Sequence, residues 1–101
     1  MRVISLRRLR EFWTIHPNAE AALQRWYART TIATWQNFIE VRADFHLADM
    51  VQRLTVFNIS GNNFRLIARI EFNNQKVFVR AVLTHAEYDE EKWKDDDWFE
   101  N

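Results

Sequence analysis

The chain has 101 residues, 48% hydrophobic and 15% aromatic, with one glycine and one proline; this describes one domain with a modest core and excludes disordered, collagen-like and loop-dominated chains. It has no cysteine, which excludes a disulfide framework, a thiolate metal site and a thiol nucleophile. The formal net charge of zero hides a division: residues 89–101 hold seven acids against two bases, and residues 1–88 twelve bases against seven acids, eleven of the twelve being arginine.

RVISL (Arg2 to Leu6) is β-branched enough for a strand. Leu6, Leu9, Phe12 and Trp13 then recur at helical spacings. His16-Pro17 stops that helix, because the residue before proline is pushed out of the α region. Asn18 is expected to cap a second helix, AEAALQRWYAR, with Ala19, Ala22, Leu23, Trp26 and Tyr27 on its apolar face. Thr34 is expected to cap a third, WQNFIEVRADF, burying Trp35, Phe38, Ile39 and Phe45. From Arg53 the period changes to two. RLTVFNI, a turn at SGNN containing Gly61, FRLIARIEF, a turn at Asn73 to Gln75 and KVFVRAVL read as a three-strand antiparallel meander. The expected class is α+β: an N-terminal strand and helices packed on one face of a curved antiparallel sheet.

Such a sheet leaves its second face free to be polar. Arg65 and Arg69, four apart, share that face, opposite Leu66 and Ala68. Whether Arg80 joins them depends on a strand register that one residue would flip. Cross-strand pairing with Glu71 would explain these arginines, but one acid does not neutralise three, so a surplus positive patch suited to phosphate is expected.

The segment THAEYDEE (Thr84 to Glu91) ends the last strand. Thr84 followed by Glu87 is a capping box. It sets His85 and Tyr88 three apart on one helical face. Cleaving RNA through its own 2′-hydroxyl needs a proton acceptor, a donor for the leaving 5′-oxygen and cations on the phosphate. His85, Tyr88 and the arginines could supply these with no metal and no cofactor; three scattered histidines in no ligand spacing argue against zinc. His16 is expected to meet the last carbonyls of the first helix, and His46 lies in a connection. As a bland alternative, His85 is a surface histidine and Tyr88 a packed tyrosine.

TWQNFIEVRADF…ADMV, VFNISGNNFRLIARIEF, VFVRAVLTHAEYD and Trp93 together resemble the HigB-type toxins of bacterial type II toxin–antitoxin systems, within the RelE-like superfamily. The resemblance covers roughly Val3 to Lys94. It implies a single RelE-like domain over residues 1–94, mRNA cleavage on the translating ribosome and neutralisation by a helix-turn-helix antitoxin of the HigA type. It also implies no membrane association and a monomeric toxin within a toxin–antitoxin complex. Matched position by position, it makes His85 and Tyr88, with Arg69 and Arg80, the catalytic candidates, and Arg65, Asn63 and Lys76 the RNA-binding ones. Asn58 is a further polar hairpin position.

Residues 95–101, DDDWFEN, lie beyond the resemblance as an acidic tail. It is expected to be a solvated extension; the alternative is that it folds back over the arginine face and competes with RNA. MRVISLRRLREF has no apolar stretch of signal-peptide length, so a cytoplasmic location is expected. Two other function classes are compatible with the residues: a catalytically silent RNA- or protein-binding module, and an interaction protein using exposed Trp93 and Trp98.

Overall fold

A computed structural model describes residues 1–100. Among them the order is β1 (Arg2–Ile4), α1 (Leu6–Ile15), a 3-10 turn (Pro17–Ala19), α2 (Glu20–Ile32), α3 (Phe38–Asp44), β2 (Asp49–Val51), β3 (Leu54–Ile59), β4 (Phe64–Glu71), β5 (Lys76–Thr84), α4 (His85–Asp89) and a 3-10 turn (Lys92–Asp95). The α+β architecture and the β3–β4–β5 meander are as the periodicities indicate. The sheet order is β1-β5-β4-β3-β2. The sheet is mixed rather than purely antiparallel, because β1 runs parallel to β5, pairing Arg2 with Lys76 and Ile4 with Phe78. β2 is too short to show a period; it pairs with β3 through Met50 and Thr55.

Two helix starts differ from expectation. Asn18 caps nothing: Pro17, at the first position of its 3-10 turn, presets the backbone for a helical turn, and α2 follows without a side-chain cap. α3 begins at Phe38, not after Thr34, because Asn37 is the better cap: its side chain accepts from the Glu40 N–H at 3.1 Å. Glu40 reaches back to the Gln36 N–H at 3.0 Å. This frame shift turns Val41 inward and leaves Ile39 80% exposed. Trp35 is buried, but from the bend before the helix.

The helices cover one face of the sheet. Leu9, Leu23 and Trp26 pack on Phe57, Leu66, Ala68, Val77 and Val79, with Trp26 and Phe45 edge-on to Phe57 at 5.4 and 5.2 Å. The second face is not free. Leu54, Val56 and Ile67 form an apolar strip there, covered by Trp93 with Tyr88, Trp98 and Phe99. Phe99 is pinned by its carbonyl, which accepts from the Arg53 N–H at 3.0 Å. The acidic segment is therefore not a solvated extension; as far as Phe99 it packs on the sheet as a third layer.

The strand register is set by an irregularity between Ile67 and Ala68. Ile67 pairs with Ala81 and Ala68 with Val79, so Arg80 is the extra residue of a β-bulge in β5. A bulge lets two consecutive residues share a side, and Arg80 joins Arg69 on the face away from the helices: both guanidinium groups lie over the Trp98 ring.

Asp44 ties the helical layer together, accepting from Arg29 Nη2 at 2.7 Å and Trp35 Nε1 at 2.9 Å. These hydrogen bonds, Arg29 first, hold its carboxyl below the ordinary range against a smaller opposing effect of burial. A lowered folded-state pKa stabilises above the ordinary carboxylate range and stops doing so as pH falls through the folded value. Asp44→Asn should cost about 1–2 kcal/mol near neutral pH. In urea melts at about pH 7 and about pH 3 the gap to the parent should narrow on acidification; an equal gap at both would show that the charge is not what binds these elements.

Candidate functional site

The site is built around the end of β5. Thr84 Oγ1 accepts from the Glu87 N–H at 3.2 Å, and the Thr84 N–H donates to Glu87 Oε1 at 2.9 Å, completing the capping box. His85 is the first residue of α4, and its N–H donates to the Asn63 carbonyl at 3.1 Å. The turn between β3 and β4 is thereby fastened to the start of α4. That turn needs left-handed backbone at Ser60 and Gly61, which explains the placement of the glycine.

His85 Nε2 lies 3.2 Å from Asp89 Oδ2, and the imidazole is 53% exposed, so a proton partner and solvent both reach it. Tyr88 is held more firmly. Its ring stacks on Trp93, with centroids 5.4 Å apart and planes 9° from parallel, and Trp93 Nε1 donates to the Tyr88 carbonyl at 3.1 Å. The Arg65 guanidinium sits 5.1 Å from the centroid of the Tyr88 ring.

The arginines divide into two kinds. Arg65 is 8% exposed; its guanidinium donates to the Asn62 and Phe64 carbonyls at 2.9 and 3.1 Å and to Asn62 Oδ1 at 3.3 Å. It braces the hairpin against Tyr88. Arg69 and Arg80 lie 6.0 and 4.0 Å from the Trp98 centroid. Arg80 Nε and Nη2 reach the two Asp96 carboxylate oxygens at 3.0 and 3.1 Å. Its carboxylate comes from the tail, not from Glu71, which accepts from Asn74 Nδ2 at 3.1 Å. Burial alone would raise the Asp96 carboxyl, but the Arg80 hydrogen bond, the Trp98 N–H and the charges of Arg80 and Arg8 outweigh it and hold it below the ordinary range.

The structure thus gathers Asn63, Arg65, His85 and Tyr88 at one end of the sheet, with Arg69 and Arg80 further along the same face. Lys76 is not with them: it begins β5, opposite Glu71, roughly 26 Å from Thr84 at about 3.3 Å per strand residue. Asn58 pairs with Arg65 on β3. His16 stacks its ring on Phe12 at 4.5 Å, and His46 lies in the turn after α3.

Comparison with known proteins gives this arrangement a family. The model for the HigB toxin, the RelE-like toxic component of a toxin–antitoxin system, matches residues 19–91. The chain belongs to that family. It is 33% identical over 92 residues, 88% of this chain and 89% of the other, to a protein named mRNA interferase HigB from Escherichia coli O6:H1. Over a 34-residue stretch, about a third of either chain, it is 50% identical to the mRNA interferase toxin HigB of Escherichia coli strain K12 and to the mRNA interferase HigB of Shigella flexneri. As a toxic component of such a system, a HigB-family chain has an antitoxin as its counterpart. No helix among the described residues is long and apolar enough to cross a membrane.

Four participants were not singled out as site residues by the sequence reading. Asp89 was detectable from its i,i+4 spacing to His85. Trp93, Asp96 and Trp98 were masked by the acidity of their segment, although Trp93, Trp98 and Phe99 make it too aromatic to be a solvated tail. Trp93 and Trp98 are not exposed docking aromatics, since both pack on the chain's own sheet. Thr84→Ala should cost about 1 kcal/mol and speed amide exchange at Glu87; exchange there at the parent rate would mean that the box does not hold α4.

Proposed function

We propose that this HigB-family chain is an endoribonuclease that cleaves mRNA through attack of the RNA 2′-hydroxyl, without a metal or cofactor. The observation that carries this reading is the capping box: it holds His85 and Tyr88 at the end of a strand that bears Arg80 and pairs with the one bearing Arg65 and Arg69. Relatives named mRNA interferase support the same substrate.

In the proposed reaction the 2′-oxygen attacks phosphorus and the P–O5′ bond breaks, giving a cyclic phosphate and a 5′-hydroxyl. One of His85 and Tyr88 takes the 2′ proton, the other supplies a proton to the departing oxygen. Asp89 orients the imidazole and Trp93 the phenol ring. Arg69 and Arg80 stabilise negative charge on the RNA phosphate. Arg65 acts through Tyr88 and the hairpin, Asn63 contributes at the hairpin tip, and Lys76 contacts RNA only at a distance from the reacting phosphate. The protein acts in the cytoplasm on the translating ribosome, as a monomer released from a helix-turn-helix antitoxin of the HigA type. Residues 1–94 form the catalytic domain, and the acidic segment that follows packs against it as far as Phe99.

His85→Ala and Tyr88→Phe should each lower cleavage by about 100-fold or more and relieve growth arrest on induction, whereas Glu87→Gln should act mainly on α4 stability. Mapping mRNA 5′ ends, with and without chloramphenicol-stalled ribosomes, reads both cleavage and its ribosome dependence. Undiminished cleavage by both variants would remove the chemistry from this segment. A second reading, a silent RNA- or protein-binding module, draws on the occupied state of Arg65 and Arg80; it requires that the parent chain produce no new 5′ ends.

A further inference from the structure

Asp96 meets Arg80 as a phosphodiester would. Two parallel N–H···O hydrogen bonds at 3.0 and 3.1 Å join the guanidinium fork to two oxygens of one anion, the geometry by which arginine takes phosphate. The partners are largely sheltered, with 25% of the Arg80 side chain and 18% of the Asp96 side chain exposed. Trp98 completes the likeness. Its indole covers the same guanidinium at 4.0 Å and stands edge-on to Phe78 at 5.2 Å, where a nucleobase next to a bound phosphate would stack. The Trp98 backbone N–H also donates to Asp96 Oδ1 at 2.8 Å, which ties the two residues together in the chain beside Arg80.

The surroundings suit an anionic strand. A groove of about 620 Å³ between α1 and β5 is lined by Arg7, Arg8, Glu11, Phe12 and Arg80 among others; Glu11 pairs with Arg7 at 2.7 Å, the other two arginines keep the groove net positive, and the Arg8 guanidinium donates to the Arg80 carbonyl. A pocket of about 310 Å³ open to solvent adjoins the Arg80–Asp96 pair, lined by Ile67, Arg80, Trp93 and Asp96 among others, and gives a ligand access to it.

We propose that Asp96 and Trp98 form an intramolecular mimic of a nucleotide, occupying the phosphodiester subsite of Arg80 and Arg69, so that RNA must displace them to bind. The proposal rests on the endoribonuclease reading and adds to it a self-competing strap. The free toxin then has a lower affinity for RNA than its arginines alone would give, and a long polyanion such as ribosome-held mRNA opens the site better than a short oligonucleotide.

The test uses the full chain and a 2′-O-methyl RNA oligonucleotide, which cannot be cleaved. Asp96→Asn should tighten binding about tenfold at low salt and steepen the salt dependence by about 0.7, the slope expected for one more phosphate contact. Trp98→Ala should act in the same direction. Glu100→Gln removes the same unit of charge from the same segment and should change affinity less than twofold. Thermal melts of each variant verify folding, and the Trp98 indole N–H resonance of the parent, assigned by its loss in Trp98→Ala, should move when RNA is added.

Equal affinities for Asp96→Asn and Glu100→Gln, weaker binding by Asp96→Asn, or an unmoved Trp98 resonance with RNA bound would each overturn the strap. Its failure is separable from failure of the enzyme reading: in the first case the parent still cleaves mRNA in cells, in the second neither the parent nor Asp96→Asn does, and the strap falls with it. A silent parent with an active Asp96→Asn supports both.

Discussion

A sheet with apolar residues on both faces must be covered twice. β3 places Leu54 and Val56 on the side away from the helices, and β4 places Ile67 there between two arginines. Leaving that strip in water would cost about 25 cal/mol for each Å² exposed, so some segment has to lie on it. With the helices committed to the other face, the cover comes from Tyr88, Trp93, Trp98 and Phe99. This constraint carries the acidic residues to the arginines. Asp96 reaches Arg80 because Trp93 and Phe99, on either side of it, are drawn to the strip.

Much of the fold was legible because it is written in period. α1, α2 and the meander each bury a face whose spacing announces its geometry, and the Thr84–Glu87 box fixed the start of α4 to the residue. The misses have local causes. Asn37 outcompeted Thr34 as a cap because Glu40 stands three residues on and closes a reciprocal pair with Gln36. Pro17 took over the start of the second helical segment by its fixed backbone angle. β2 has only three residues, fewer than two repeats of an alternating pattern, and the parallel pairing of β1 is a long-range fact with no local signature.

The site was legible in kind and less so in placement. Thr84 to Tyr88 marked the right end of the right strand, because capping is decided within four residues. Strand alternation put Arg65 and Arg69 on one face and left Arg80 open, and charge counting treated the three alike. The structure separates Arg65, spent on backbone carbonyls, from Arg69 and Arg80, which face the tail. For Arg65 the distinction is made within the hairpin, by the Asn62 and Phe64 carbonyls that turn inward; for Arg69 and Arg80 it is made by a distant segment, with no local signature. The acidic segment misled because charge and aromaticity point in opposite directions there, and burial of the aromatics prevailed.

The bulge at Arg80 carries a consequence for how such a chain changes over time. Arg80 is the residue for which the β4–β5 ladder has no partner. Deleting it would make the ladder more regular, and the apolar pairs on either side would stay in register. The ladder and the arginine it displays are therefore separately heritable at this position. A descendant that sheds the one residue keeps the pairing of its sheet, and loses with Arg80 the fork that holds the acidic segment by Asp96.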